Sequence, residues 1–439
     1  MKSKINCLIK AKRSLPTFAV ALISTFSVSM PLYSAPATIR VSLSSTGVEG
    51  NQNSFLPSLS GDGNSVAFVS FANNLVKGDK NFNSDVFYRN LITGVVKRAT
   101  VNSDGKEGNS TYIFEPPSLS YDGRYVAFSS SSTNLVVGDK NKTYDIFVHD
   151  TSNGRTERVS VSSKGIEGNG FSLSPKISGD GRYLAFKSFA SNLVDESFIA
   201  GSNIYVRDRK TGTTKLASLN SQGQPANSGS QNPGISANGR YVVFESDASN
   251  LVANDTNNAS DIFVRDLHLG TTRRVSVDNK GNEIKRRHVK PSISANGRFV
   301  SYASFPFNSV IQKQDIFIHD LQTGLTKLVS VNNDHKKGND SSYDPTISGN
   351  GRYVSFASNA SDLISGDFNE ASDIFVRDLQ AKVTDRVSVK SDGEEGDQAS
   401  FGPSGISANG RVIAFSSFAD NLVEGDNNGA GDIFIRRRW

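Results

Sequence analysis

Seven copies of one turn-and-strand pattern run along this chain of 439 residues. Each copy has Asp or Asn, then Gly, then Arg or Asn, followed by a short apolar strand that contains an aromatic residue. The turn glycines are Gly63, Gly123, Gly181, Gly239, Gly297, Gly351 and Gly410, spaced 54 to 60 residues apart. A period of this length indicates a repeat architecture, in which each unit packs mainly against its neighbours.

Each unit contains four short strands, which we label A to D. In the second unit they are predicted at residues 117–120, 125–128, 145–150 and 158–161. Asp-Gly or Asn-Gly joins strand A to strand B, which is a strong hairpin signal because a type I′ turn needs positive φ at both central residues. Four-stranded units at this period predict an all-β fold, a seven-bladed β-propeller. A buried aromatic is expected in the middle of strand C of every blade: Phe87, Phe147, Tyr205, Phe263, Phe317, Phe375 and Phe434.

The two ends of the repeat region predict how the ring closes. Residues 432–435 form a strand C with no strand D after it, and residues 38–43 form a strand D with no strands A to C before it. Pairing residues 38–43 with residues 432–436 completes the seventh blade. This closure also removes an exposed sheet edge that would invite aggregation.

Residues 1–37 have the order of a secretory signal peptide: a basic start, an apolar stretch and the A-x-A-like site Ala35-Pro36-Ala37. We therefore expect a propeller domain over residues 38–439 and a periplasmic or extracellular location. An uncleaved membrane anchor is the alternative. Removing the five basic residues of this leader leaves 43 basic and 43 acidic residues, so overall charge gives no reason to expect nucleic-acid binding. The one cysteine, Cys7, lies in the leader.

Two segments carry a resemblance to a known family. These are S-x-D-G-R-Y-V-A-F, from Ser120 to Phe128, and D-I-F-V-R-D, at residues 261–266 and 373–378. The units resemble the WD-like propeller repeats of the TolB family over essentially all of residues 38–439. The resemblance implies a propeller fold. TolB itself has six blades and an N-terminal α/β domain, whereas here the repeats begin directly after the leader.

A D-x-N-x-x-x-D motif between strands B and C occurs in five units. Its members are Asp79, Asn81 and Asp85; Asp139, Asn141 and Asp145; Asp255, Asn257 and Asp261; Asp367, Asn369 and Asp373; and Asp426, Asn428 and Asp432. Oxygen ligands at alternate loop positions are typical of calcium loops, so structural Ca²⁺ is one interpretation. The other is that these side chains cap turns by bonding their own backbone.

The loops between strands D and A repeat a second polar pattern, which contains Glu49, Glu107, Glu167 and Glu395. D–A and B–C loops leave a blade on the same face, so we expect both motifs to crowd one rim. Units 3 and 5 break the Asp motif, with Ser197 and Asn203 in unit 3 and only Asp315 in unit 5. The densest basic run, Lys285, Arg286, Arg287 and Lys290, is predicted to lie in the D–A loop before blade 5. One interpretation is a docking site for an anionic protein or glycan, and the other is an ordinary charged loop.

No recognisable catalytic motif is present: neither a G-x-S-x-G elbow nor an H-E-x-x-H zinc helix occurs. His149 and His319 occupy a strand C position filled by Arg in other units, so they are predicted to be exposed surface residues. We expect a monomeric, non-enzymatic binding or protein-interaction scaffold that uses the loop-rich face. The competing hypothesis is a secreted carbohydrate-active lyase or hydrolase with carboxylates at the central funnel.

Overall fold

The computed structural model describes residues 35–109, 112–195, 201–306 and 313–439, and the predicted leader lies almost entirely outside these ranges. Within them, 28 β-strands form seven four-stranded antiparallel sheets and no α-helix is present. The prediction of a seven-bladed propeller is therefore confirmed. In the described part of the chain, no helix has the length and apolar character needed to cross a membrane.

The strands follow the predicted A-B-C-D order in every blade. Blades 1 to 3 contain β2 (Ser54–Leu59), β3 (Ser65–Ser70), β4 (Asp85–Asn90), β5 (Val96–Arg98); β6 (Ser118–Leu119), β7 (Tyr125–Ser130), β8 (Asp145–Asp150), β9 (Thr156–Arg158); and β10 (Ser172–Ile177), β11 (Tyr183–Ser188), β12 (Asn203–Asp208), β13 (Thr213–Leu216). Blades 4 to 6 contain β14 (Ser230–Ile235), β15 (Tyr241–Ser246), β16 (Asp261–Asp266), β17 (Thr271–Arg274); β18 (Arg286–Ile293), β19 (Phe299–Pro306), β20 (Asp315–Asp320), β21 (Thr326–Leu328); and β22 (Ser342–Ile347), β23 (Tyr353–Ser358), β24 (Asp373–Asp378), β25 (Val383–Arg386). Blade 7 contains β26 (Ser400–Ile406), β27 (Val412–Ser417), β28 (Asp432–Arg437) and the N-terminal strand β1 (Ala37–Arg40).

The N-terminal strand closes the ring as predicted. β1 pairs antiparallel with β28, from Ala37 opposite Arg437 to Arg40 opposite Phe434. The Val41 amide extends the contact by donating to the Ile433 carbonyl at 2.8 Å. Strand D differs in extent from the prediction, because in blade 2 it ends at Arg158 instead of beginning there. Beyond that arginine the chain bends toward the next loop, where Val161 bridges to Glu167.

Seven hydrophobic clusters fill the spaces between adjacent blades, one for each interface of a closed ring. The strand C aromatics predicted for the core lie in these layers, and each stacks on an aromatic of strand B in its own blade, as Phe87 does on Phe68 at 6.0 Å. Between blades 7 and 1, Val66 and Phe68 pack with Ile433. Burial of such faces is the main force that holds the blades together.

The A–B turns need glycine for two reasons. All seven turn glycines have φ between 70° and 75°, where a residue with a Cβ is strained. At Gly181 an added Cβ would also overlap the ring of Tyr125 in the preceding blade. The turn therefore sets both the hairpin and the distance between neighbouring blades.

Candidate functional site

The predicted Asp residues and the D–A loop glutamates meet around an arginine in five blades. The arginine is the last residue of strand D, so we call each group an arginine cage. In blade 1, the guanidinium Nη1 of Arg98 lies 3.1 Å from Asp85 and 3.4 Å from Asp79, and it also contacts Glu107. The five cages are Arg98 with Asp79, Asp85 and Glu107; Arg158 with Asp139, Asp145 and Glu167; Arg274 with Asp255, Asp261 and Glu283; Arg386 with Asp367, Asp373 and Glu395; and Arg40 with Asp426, Asp432 and Glu49.

The fifth cage is completed by the ring closure. Arg40 comes from the N-terminal strand and reaches Asp426 at 2.7 Å and Asp432 at 3.4 Å in blade 7. The same guanidinium binds Glu49 at 2.7 Å, in the loop that leads into blade 1. One side chain therefore links the N-terminal strand, the last blade and the first loop.

The remaining two blades lack the whole cage and not only its carboxylates. Blade 3 has Asn203 and Leu216 at the positions of the inner Asp and the Arg, and Pro225 at the position of the Glu. Ser197 lies outside the described residues. Blade 5 has Leu328 at the Arg position, and its remaining Asp315 is paired with Lys337 at 2.9 Å. Where the arginine is lost, most of the acids are lost with it, and the one that remains, Asp315, pairs with other cations, so the charges of a cage compensate each other.

Burial in the cages raises the pKa of their aspartate carboxyl groups. Burial raises the pKa of Asp79 to about 7, and the negative charge of Asp85 adds to the rise. Burial also raises the pKa of Asp145, Asp255 and Asp426 to about 6. Three carboxyl groups share one guanidinium, so attraction to the arginine offsets only part of the desolvation cost.

The geometry bears on the calcium interpretation in two ways. In four cages, oxygens of the two Asp and the Glu lie within 4.8 Å of one another, close enough to hold a metal ion. The motif asparagines, however, turn their amide nitrogen toward the site: Asn141 donates to Asp145 at 3.0 Å, and its oxygen accepts from the Thr143 amide. The positive charge among the carboxylates is the arginine, which was not among the predicted site residues. The sequence does contain a signal for it, because leucine replaces this arginine only in the two units that lack the Asp pair.

A second candidate site lies on the propeller axis, where the strands A meet. Six of the seven strands A contain a proline, and in blade 2 Pro117 directly precedes the strand. The residue before this proline in the seven blades is Leu56, Pro116, Ser174, Asn232, Lys290, Asp344 and Gly402. All seven residue types differ, although the surrounding strands repeat closely. Five of them have φ between 50° and 57° and lie in β-bulges of strand A. Bulges and left-handed residues are concentrated at functional sites, because they direct side chains out of the ladder.

Six of these seven residues line an axial cavity of about 400 Å³. Its charged lining residues are Glu115, Lys176, Lys290 and Asp344. Burial lowers the pKa of the Lys176 ammonium, partly opposed by Glu115, and raises the pKa of Asp344, partly opposed by Lys290. Titratable groups with shifted pKa values that converge in one cavity are a physical indication of a functional site.

A buried glutamate supports one side of this cavity. Glu245 of strand B in blade 4 is 2 % exposed. Its carboxylate accepts hydrogen bonds from the Asn232 amide at 2.7 Å and from the Lys290 backbone at 3.3 Å. It therefore fixes two of the variable axial residues, on blades 4 and 5, in their bulged conformation.

The predicted basic docking residues lie in a different element from the one expected. The run belongs to strand β18 of blade 5 and not to a loop: Arg286, Arg287 and Lys290 are strand residues, and Lys285 directly precedes them. Arg286 is half-buried and contacts Asp315 at 3.4 Å, whereas Lys285 and Arg287 are exposed. The strand is eight residues long, because β19 extends to Pro306 and pairs with it from Arg286 onward. Only Lys290 lies at the axial cavity.

The prediction of exposed histidines was wrong. His149 is 3 % exposed and His319 is 5 % exposed. Each ring Nδ1 lies within 3.0 Å of a strand D threonine, Thr156 or Thr326. In other blades an arginine makes the same contact, as Arg265 does with a threonine of its own strand D. The side chain at this position of strand C contacts strand D, so it is polar but buried. Burial lowers the pKa of His149 to about 4.

Comparisons with known proteins find similarity of fold. No protein-family model and no curated protein sequence matches the chain. Among solved structures, an oligogalacturonate lyase from Vibrio parahaemolyticus matches with a TM-score of 0.54 and 13% identity, over 91% of this chain and 93% of that one. An oligogalacturonate lyase in complex with manganese matches with a TM-score of 0.54 and 13% identity, over 92% of this chain and 94% of that one.

Other matches belong to proteins of different activity. A puromycin-hydrolyzing peptidase from Mycobacterium tuberculosis has a TM-score of 0.51 and 11% identity, over 88% of this chain and 53% of that one. TolB from Acinetobacter baumannii has a TM-score of 0.40 and 15% identity, over 81% of this chain and 76% of that one. At these identities the likeness concerns the propeller fold alone.

Proposed function

We propose that this chain is a secreted, periplasmic or extracellular, binding protein of the TolB-like propeller type, and that its ligand or partner binds at the axial cavity on the loop-rich face. The observation that carries the proposal is the set of seven different residues before the strand A prolines. The strand framework repeats from blade to blade, so the variation at these seven axial positions gives the cavity an asymmetric lining. The arginine cages form the rigid rim around it.

A blocked cavity tests this proposal. Ser174→Trp fills the axis at a position with φ of 56°, where other blades carry Leu, Asn, Lys or Asp. Lys142→Trp is the matched control, because Lys142 has φ of 54° on an exposed rim loop. Purified protein is incubated with an envelope extract, and captured proteins and sugars are quantified. Capture should be lost in Ser174→Trp and kept in Lys142→Trp, whereas equal capture by both contradicts an axial site.

An enzyme is the second candidate, because the cavity holds the two carboxylates Glu115 and Asp344 beside Lys176. Paired carboxylates with different environments can act as acid and base. Oligogalacturonate, with and without manganese, is the reasonable first substrate, given the lyases of similar fold. Ultraviolet absorbance of unsaturated products that requires Lys176 and Glu115 would favour the enzyme, and the binding proposal expects no turnover.

Structural calcium is a separate hypothesis for the rim. The donor set would be the carboxylates of a cage such as Asp79, Asp85 and Glu107, which fit Ca²⁺ chemically, but Arg98 now occupies their centre and would have to move away. Melting curves with calcium and with a chelator test it. A higher melting temperature with calcium supports a metal site by mass action, and identical curves contradict it.

A further inference from the structure

A strip of aromatic rings runs over blades 1 and 2 from the axial cavity. We call Phe55, Phe71, Tyr112, Phe114 and Tyr144 the aromatic strip. Phe114 lines the cavity and stacks with Tyr112 at 6.1 Å and 16° between ring planes. Tyr112 is followed by Phe71 at 5.6 Å, and Phe71 by Phe55 at 5.5 Å.

The strip is held in place but open to solvent. The Tyr144 hydroxyl donates to the Tyr112 carbonyl at 2.9 Å, and the Tyr144 ring meets Phe114 edge-on at 5.1 Å. Tyr112 remains 44 % exposed and Phe114 42 % exposed. Two nearly parallel, half-exposed rings at the mouth of a cavity form an apolar platform on which a ligand can pack.

The cavity beside the platform is polar, and its charges are balanced. Lys290 lies 3.8 Å from Asp344, and Glu115 is the negative charge that acts on Lys176. One carboxylate oxygen of Glu115, Oε2, is buried without a hydrogen-bond partner among the described residues. An apolar group placed there would leave these polar atoms unsatisfied, which is costly. A strongly anionic ligand would find both lysines already matched by carboxylates.

We propose that the axial cavity and the aromatic strip together bind a neutral oligosaccharide. Hydroxyl groups of a sugar donate to Glu115 and Asp344 and accept from Lys176 and Lys290. The C–H face of the next sugar ring lies on Phe114 and Tyr112, whose ring faces carry partial negative charge. This inference rests on the proposed axial binding site and adds its ligand class.

Affinity electrophoresis tests the inference directly. The purified protein runs through native gels that contain hydroxyethylcellulose, laminarin, dextran, galactomannan, xylan or acidic polygalacturonate. We expect at least one neutral polysaccharide to retard it. Phe114→Ala and Tyr112→Ala should each weaken that retardation by roughly tenfold in dissociation constant. Phe82→Ala is the matched control, because Phe82 is 78 % exposed on the B–C loop of blade 1, outside the strip, and should bind unchanged. Melting temperatures establish that the variants are folded.

Three results would overturn the inference: no retardation by any neutral polysaccharide, retardation that Phe114→Ala and Tyr112→Ala leave intact, or retardation by polygalacturonate alone. These failures are distinguishable from failure of the axial site itself. If capture from an envelope extract still depends on an unblocked axis, the binding site stands and only its assignment to neutral sugars is wrong.

Discussion

Replacing Arg98 by leucine should destabilise the protein strongly, although leucine is the residue found at this position in blades 3 and 5. The Arg98 side chain is 7 % exposed, and those of Asp79 and Asp85 are 2 % and 3 % exposed. The substitution leaves three carboxyl groups together without their cation. Removing one partner of a buried ion pair costs about 3–5 kcal/mol. The loss should shrink at pH 5, because Asp79, whose pKa burial raises to about 7, is protonated there in the folded state.

A charge-free version of the same cage provides the decisive comparison. Asp79→Ser, Asp85→Asn, Glu107→Gln and Arg98→Leu together approach the native composition of blade 3. Replacing a whole buried charge group by neutral residues is often nearly neutral, so we expect stability within roughly 1 kcal/mol of wild type.

Urea unfolding at pH 7.5 and pH 5 measures these differences, and Arg155→Leu is the control, since Arg155 is exposed on a C–D turn of blade 2. Unfolding of Arg98→Leu like wild type would contradict a buried charge balance in the cage. This charge balance is also refuted if the fourfold variant is as unstable as the single one.

Three further substitutions test individual parts of the structure. Gly181→Ala should cost more than about 2 kcal/mol from backbone strain and overlap with Tyr125, whereas Gly154→Ala, with φ of 76° and open space, should cost about 1 kcal/mol in urea unfolding. Asp79 has a folded pKa of about 7, above its unfolded value of 3.8, so its ionisation lowers the stability of the fold as pH rises from 3.8 to 7. The stability of Asp79→Asn relative to wild type should therefore increase from pH 4 to pH 8. A difference that does not change with pH would contradict this. His149 has a folded pKa of about 4, below its usual 6.5, so wild type loses stability as pH falls through this range, because the unfolded chain takes up the proton first. The stability of His149→Gln relative to wild type should therefore be higher at pH 4.5 than at pH 8. A flat or opposite trend would contradict burial of the neutral ring.

The sequence was sufficient for the fold because its signals are local and repeated. Gly123 and its equivalents mark each hairpin, and the unpaired strands at residues 38–43 and 432–435 require each other. The site was harder to predict, because its key contacts join residues that look ordinary alone. Arg98 is one arginine among many until Asp79 and Glu107 are seen around it.

Other features depend on three-dimensional context that a strand pattern does not encode. His149 is expected at the surface because other units have Arg at its position, whereas it is buried and contacts Thr156 of the adjacent strand D. The backbone amide of Lys290, in the bulge of strand A, donates to Glu245 on a strand of the neighbouring blade. Neither contact has a sequence spacing that predicts it.

Hydrogen–deuterium exchange with and without the captured partner or polysaccharide tests the central claim, that binding occurs at the axis. Binding at the axis should slow exchange in the strand A bulges and the strip, at residues 54–57, 71, 112–119, 144, 172–177, 230–235, 286–293 and 342–347. Rim loops that carry the arginine cages should exchange unchanged. Protection confined to those loops, at residues 77–84, 137–143 and 424–431, would contradict binding at the axis.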